Sequence, residues 1–100
     1  MKTIKVNYWS EIPKNYTGIV EYSSGNKSWY LNGRLHRVDG PAFELANGDK
    51  EWWLNDKLHR VDGPAMECVD GNKLYFINGE KVTKEAQEVL YAMYKLKGLL

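Results

Sequence analysis

Over the first four-fifths of the chain, apolar and polar positions alternate in short bursts. Ile4, Val6 and Tyr8 alternate with polar neighbours, which predicts a short strand near the start. Gly18-Ile19-Val20-Glu21-Tyr22 opens a second run, and Trp29-Tyr30-Leu31, Trp52-Trp53-Leu54 and Tyr75-Phe76-Ile77 then recur at one fixed spacing. Side chains on a strand alternate between faces, so Trp52 and Leu54 point one way and Glu51 and Trp53 the other. Stacked over the copies, Trp29/Trp52/Tyr75 with Leu31/Leu54/Ile77 make one apolar ladder. Val20/Phe43/Met66 and Tyr22/Leu45/Cys68 are expected to complete it from the neighbouring strand. A second ladder, Tyr30/Trp53/Phe76, faces the other side and needs a cover. After residue 82 the period changes. Ala86, Val89, Leu90, Met93 and Leu96 fall at helical spacing, which predicts an amphipathic helix over 83–98. Thr83 is its N-cap, Glu85 and Lys95 with Lys97 suit its dipole, and Gly98 ends it. This helix is expected to close the last hairpin; the competing reading offers it to a partner or a membrane.

The repetition is strongest at Leu35-His36-Arg37-Val38-Asp39-Gly40-Pro41-Ala42, which returns unchanged 23 residues later as Leu58-His59-Arg60-Val61-Asp62-Gly63-Pro64-Ala65. Glu21/Glu44/Glu67, Gly25/Gly48/Gly71, Lys27/Lys50/Lys73 and Asn32/Asn55/Asn78 keep the same register. A fixed period in this range marks units that bury their apolar faces only against neighbours. Asn47-Gly48 and Asp70-Gly71, with Ser24-Gly25 as a weaker copy, predict two-residue hairpin turns with both central residues at positive φ. Second turns fall at Asn32-Gly33, Asn55-Asp56 and Asn78-Gly79. The fold class is therefore mostly β: a single domain over 1–100, built as one elongated antiparallel meander of 23-residue hairpin repeats. Residues 1–17 form a capping strand, 18–82 about two and a half repeats, and 83–98 the C-terminal helix.

Composition narrows the functional classes. Lys and Arg (14) nearly balance Asp and Glu (13), with no basic run, so phosphate-driven nucleic-acid binding is not expected. The opening Met1–Asn7 lacks the apolar stretch of a signal peptide and no segment is long enough to span a bilayer, so a cytoplasmic protein without a membrane partner is expected. Cys68 stands alone and shares a column with Tyr22 and Leu45, which reads as a small core residue and leaves no disulfide framework.

The duplicated octapeptide carries the candidate chemistry. Pro41 fixes its own φ and restricts Gly40, and Pro41 has no N–H, so the Asp39 carboxylate must reach Ala42 N–H, His36 or an Arg. Arg37 with Asp39, and Arg60 with Asp62, read as an internal link in a rigid corner that hands the chain from one hairpin to the next. Three chemical readings compete with that structural one. A metal held by His36 and His59 is disfavoured, because equivalent atoms two strands apart stand roughly 10 Å from each other. A catalytic His–Asp pair is disfavoured because no nucleophile adjoins it and the second copy would be an identical site. Ligand capture, with Arg37 and Arg60 gripping a phosphate or carboxylate beside aromatic faces, is chemically sensible. No cofactor is expected.

Trp29-Tyr30-Leu31-Asn32-Gly33-Arg34-Leu35-His36 and Trp52-Trp53-Leu54-Asn55-Asp56-Lys57-Leu58-His59 resemble the MORN repeat, with aromatics before an Asn-Gly turn and a His shortly after it. The chain departs from that family where His-Gly and a glycine-rich run usually follow; here the continuation is His-Arg-Val-Asp-Gly-Pro-Ala. It looks more specifically like the MORN-variant proteins of bacteriophages and large DNA viruses, over about residues 18–82. The resemblance implies a scaffold or protein-binding surface. A phage-borne protein of this kind is expected to be a non-enzymatic binder of a host protein, for example a component of bacterial immunity. The expected contact residues are Tyr30, Trp53 and Phe76, with Arg37 and Arg60 at the rim, and His36 and His59 are included among the binding residues. The competing reading makes those rings core. Sequestration of a nucleotide-like small molecule and a purely architectural role are the alternatives, and a homo-oligomer would fit either binding reading.

Overall fold

The computed structural model describes residues 1–98. The N-terminal strand β1 (Thr3–Val6) lies at one edge, parallel to β2 (Gly18–Tyr22), with Ile4 opposite Val20 and Val6 opposite Tyr22. The meander is thus mixed at its first strand, where an all-antiparallel sheet was expected. The chain reaches that parallel pairing by way of a short 3-10 turn at Trp9–Glu11. Tyr8, expected to continue the strand, is exposed.

From β2 onward every pairing is antiparallel. β3 (Lys27–Leu31) pairs over Lys27–Tyr30 with β2 on one side. On its other side it meets β4 (Arg34–Leu35) and then β5 (Phe43–Glu44). β4 and β5 are two halves of one descending strand, interrupted by the octapeptide. Trp29 bridges the interruption: its N–H donates to the Ala42 carbonyl (2.8 Å) and its carbonyl accepts from His36 N–H (3.0 Å). The second copy repeats this. β6 (Lys50–Glu51) and β7 (Trp53–Leu54) ascend, β8 (Lys57–Leu58) and β9 (Met66–Glu67) descend, and Trp52 bonds Ala65 and His59 at the same 2.8 and 3.0 Å. β10 (Lys73–Ile77), β11 (Glu80–Val82) and α1 (Lys84–Leu96) complete the chain. The array measures 41 × 30 × 20 Å, with the elongation expected of stacked units.

The first set of turns departs from the expected two left-handed residues. Gly25, Gly48 and Gly71 alone take positive φ at the first set, and Gly48 N–H returns to the Leu45 carbonyl (3.0 Å). These are type I turns closed by a glycine bulge, in which Asn47 and Asp70 instead accept from the N–H two residues on (2.9 Å each). The doubly left-handed pairs are Asn32-Gly33, Asn55-Asp56 and Asn78-Gly79. Asp56, at φ 64°, is held there by a reciprocal pair with Leu35: its N–H donates to the Leu35 carbonyl (2.9 Å) and its Oδ1 accepts from Leu35 N–H (2.7 Å).

Cross-strand register sets the two faces. Glu21, Lys27, Glu44, Lys50, Glu67 and Lys73 stand opposite one another in turn, a row of alternating charge on one face. Val20, Ser28, Phe43, Glu51, Met66 and Leu74 form the parallel row on the other. Val20, Phe43 and Met66 therefore share a face with Tyr30, Trp53 and Phe76, where the first ladder was expected to have them. Pairing places them opposite Ser28, Glu51 and Leu74, which alternate with the Trp29 ladder. At the N-terminal end, Val6, Tyr16 and Val20 are buried together, with Ile4, Ile12, Tyr22 and Tyr30 packed on them. Cys68 is half-buried and free, outside any sealed core.

The predicted helix begins where its cap requires: Thr83 Oγ1 accepts from Ala86 N–H (3.0 Å). Its inner face differs from the expected one. Gln87 is buried and Leu90, Tyr91 and Tyr94 are half-buried, while Ala86, Val89, Met93 and Leu96 are exposed. The reason is the surface beneath. Val61 and Gly63 present carbonyls that need a donor, and the Gln87 amide donates to both, at 3.2 Å for Gly63. An apolar side chain there would bury those acceptors unpaired.

Candidate functional site

Each octapeptide leaves the sheet as a loop that closes over the tryptophan of its own strand. The Arg37 guanidinium lies 4.0 Å from the Trp29 ring and Arg60 lies 4.0 Å from Trp52. Both rest on the alternating-charge face. Nε bonds the expected aspartate, Arg37 to Asp39 at 2.9 Å and Arg60 to Asp62 at 3.0 Å. Nη1 donates to the Pro41 or Pro64 carbonyl at 3.1 Å. Arg60 gains a further 3.1 Å bond to Glu67, where the Arg37–Glu44 pair opens to 3.8 Å. Glycine completes the stack from the outside. A Cβ at Gly40 or Gly63 would lie 2.9 or 2.7 Å from the guanidinium carbon. Gly-Pro is thus required less for a left-handed turn than to let the backbone lie flat on the arginine.

The histidines join copies. His36 Nδ1 accepts from Asn55 N–H (3.0 Å) and His59 Nδ1 from Asn78 N–H (2.9 Å). Both imidazoles are therefore the neutral tautomer with the proton on Nε2. Burial pushes the His59 pKa down, in keeping with that state. In the first copy Thr17 Oγ1 takes the place of the histidine, accepting from Asn32 N–H (2.9 Å), while the Tyr16 carbonyl accepts from Gly33 N–H (2.8 Å). Tyr16-Thr17 thus caps the array by reproducing the Leu-His joint; spacing concealed it, because the cap enters β2 without the loop. A second seam runs along the opposite edge, where Asn26 Oδ1 accepts from Ala46 N–H (2.8 Å) and Asp49 Oδ1 from Val69 N–H (2.9 Å).

The expected contact residues divide between faces. Arg37, Arg60, His36 and His59 belong with the loops and their tryptophans. Tyr30, Trp53 and Phe76 lie behind, half-buried, and Tyr30 packs on the N-terminal core. Burial and the adjacent Tyr22 hydroxyl push the Tyr30 phenol up to about 12. Trp53 Nε1 donates to Glu51 (2.9 Å). Burial, with the carboxylates of Asp49, Asp70 and Glu51, raises the Cys68 thiol, which disfavours its thiolate.

Between the two loops opens a groove of about 940 Å³. Trp52 and Leu54 form its floor; Val38, Asp39, Gly40 and Pro41 one wall; His59, Arg60, Val61 and Asp62 the other; Tyr94 of α1 enters at one end. Its size and mixed lining are those of a ligand cleft. Leu54 was marked in sequence only as a ladder residue, and Val38 and Tyr94 had no marker of their own, since they line the groove only once two loops and the helix come together. Among the described residues no cluster of three metal-ligating side chains occurs, and no helix is long and apolar enough to cross a membrane. No protein-family model, curated protein or solved structure matches the chain.

Proposed function

We propose that this chain is a non-enzymatic binding protein that receives a segment of a partner protein in the groove between its two loops. The observation that carries this reading is the groove itself, a cleft of about 940 Å³ with an apolar floor and a charged rim. Against catalysis stands the commitment of the duplicated polar groups. The Nδ1 of each histidine, the Nε and Nη1 of each arginine and one oxygen of each aspartate are held in bonds within the framework, alike in both copies. The MORN-variant resemblance makes a host protein the expected partner, with a component of bacterial immunity as one such target.

Val38 tests the reading because it walls the groove and is 82% exposed, so its replacement leaves the framework intact. Affinity capture from bacterial lysate is expected to retain a partner with the wild-type chain and lose it with Val38→Glu at unchanged melting temperature. Equal capture by both proteins refutes the groove as the contact. One observation favours a second reading, sequestration of a small nucleotide-like anion. Arg37 and Arg60 both line the groove, and their Nη2 atoms make no hydrogen bond among the described residues. Thermal stabilisation by nucleotides, without protein capture, would select it.

A further inference from the structure

The helix α1 carries two apolar stripes, and the molecule covers one of them. On the docked side Gln87 is buried and Leu90, Tyr91 and Tyr94 are half-buried. Ala86, Val89, Met93 and Leu96 form the second stripe, roughly 130° around the helix from the first. Val89 is 60% exposed, Met93 43% and Leu96 88%. Single exposed apolar side chains are ordinary, but four on one line of a 13-residue helix make a continuous patch. Lys84, Glu88 and Lys95 occupy the remaining side. The spacing of the uncovered stripe is specific. Its steps of three, four and three residues are the a and d positions of a heptad, the narrow seam by which one helix packs on another.

We infer that a second copy of this chain covers the stripe, the two α1 helices packing antiparallel about a two-fold axis centred between Val89 and Met93. Side-chain size selects this arrangement. In that register Ala86 faces Leu96 of the other copy and Val89 faces its Met93, so a small residue meets a large one in every layer. Each contact is made twice, as an isologous interface requires. A parallel pair would set Ala86 on Ala86 and Leu96 on Leu96, leaving a void at one end and crowding at the other. Charge selects the same orientation. The antiparallel pair lays the half with Glu85 and Glu88, offset in part by Lys84, beside the half with Lys95 and Lys97. It also opposes the two helix dipoles, whereas a parallel pair sets like ends together. A lipid surface is the poorer occupant, because two glutamates stand among the three lysines and no basic excess faces an anionic membrane. The seam lies apart from the groove between the loops, so this inference is independent of the binding role proposed there.

Sedimentation of the full chain, from about 10 μM to about 1 mM, is the test. Four layers make a small interface, so a reversible dimer is expected to fill toward the upper end of that range. Val89→Glu should weaken it by roughly tenfold or more, since a carboxylate would then be buried unpaired. The melting temperature of dilute protein should not change, because Val89 is exposed in the single chain. Exchanging sizes tests the register. Ala86→Leu and Leu96→Ala should each weaken the dimer, by crowding and by a cavity, and the double variant should regain most of the affinity because each layer keeps its volume. Orientation is read by oxidation in a Cys68→Ser background. Chains with Ala86→Cys, mixed with chains with Leu96→Cys, should form the mixed disulfide in preference to either homodimer. A monomer at about 1 mM would overturn the inference and leave the stripe to a different protein or a lipid surface. A dimer insensitive to Val89→Glu, a double variant weaker than both single ones, or an excess of homodisulfides would overturn it as well. Loss of the dimer with Val38→Glu alone would move the contact to the groove and refute the seam.

Discussion

Gly63→Ala is the sharpest perturbation of the loop, because the glycine there serves contact and not conformation. The added methyl would stand 2.7 Å from Arg60 Cζ and 3.0 Å from Nε and Nη2, where ordinary contact begins at 3.4 Å. The guanidinium has nowhere to retreat. Trp52 lies 4.0 Å behind it, and Asp62, Pro64 and Glu67 hold it at 3.0–3.1 Å. Overpacking of this kind costs about 1–3 kcal/mol. Stretching the bonds of a charged group adds about 1 kcal/mol, discounted because Asp62 and Glu67 are partly exposed. The expected loss is therefore about 2–4 kcal/mol, or on the order of 10–20 °C in melting temperature for a chain of this size. Gly40→Ala should cost less, since its Cβ would stand at 2.9 Å and Arg37 lacks the close Glu44 bond. Urea denaturation of Gly63→Ala, Arg60→Met and the double variant is the assay. A coupling energy above about 1 kcal/mol is expected, because removing the arginine removes the clash. Additive effects, or a Gly63→Ala chain within about 0.5 kcal/mol of wild type, would refute the stacked-loop account.

The remaining predictions concern joints and the core. Burial lowers the folded-state pKa of His59, so the unfolded chain takes up its proton first. Stability is then full above about pH 6.5 and falls as pH drops toward the folded value; His59→Leu should be weaker at about pH 7.5 and lose less on acidification to about pH 5, read by melting temperature. Asp56→Gly relieves a left-handed residue by about 1 kcal/mol but forfeits the carboxylate bond to Leu35 N–H, so a net loss of about 0.5–1 kcal/mol is expected in denaturation; a gain would mean the bond contributes nothing. Ser28 is wholly buried and its hydroxyl, beside the Tyr30 phenol, makes no well-formed hydrogen bond among the described residues, so Ser28→Ala should stabilise by about 1 kcal/mol. Destabilisation would show that the hydroxyl is satisfied.

The residues that made the architecture readable are those whose role is local. The aromatic strands, the turn dipeptides, the Thr83 cap and the Arg–Asp link each depend on neighbours a few positions away, and each stands where expected. Roles set across the array were hidden. Which turn takes two left-handed residues depends on how the strands continue beyond it, and only Asn-Gly, Asn-Asp and Asn-Gly of the second set do so. The histidines act on the next copy's turn, at a separation of 19 residues. The helix was oriented by its apolar stripe, yet a hydrophobic pattern carries no term for two carbonyls awaiting a donor. Gln87 therefore won the inner position, and Val89, Met93 and Leu96 were left outside. Of the candidate site, the arginines and histidines were legible as chemistry, but the groove between loops was not, since it belongs to neither copy alone.

The joint between copies has a bearing on how large such a molecule can become. Tyr16-Thr17 offers the first turn a carbonyl and a side-chain acceptor, as Leu35-His36 and Leu58-His59 offer the next, so every unit meets a socket of the same plan. Splicing in one more copy of residues 36–58 after Leu58 would lengthen the sheet by roughly 10 Å without a new kind of contact. It would also open another cleft of the same make. On the binding role proposed above, valency would follow the number of units, and avidity for a multivalent target would rise with length.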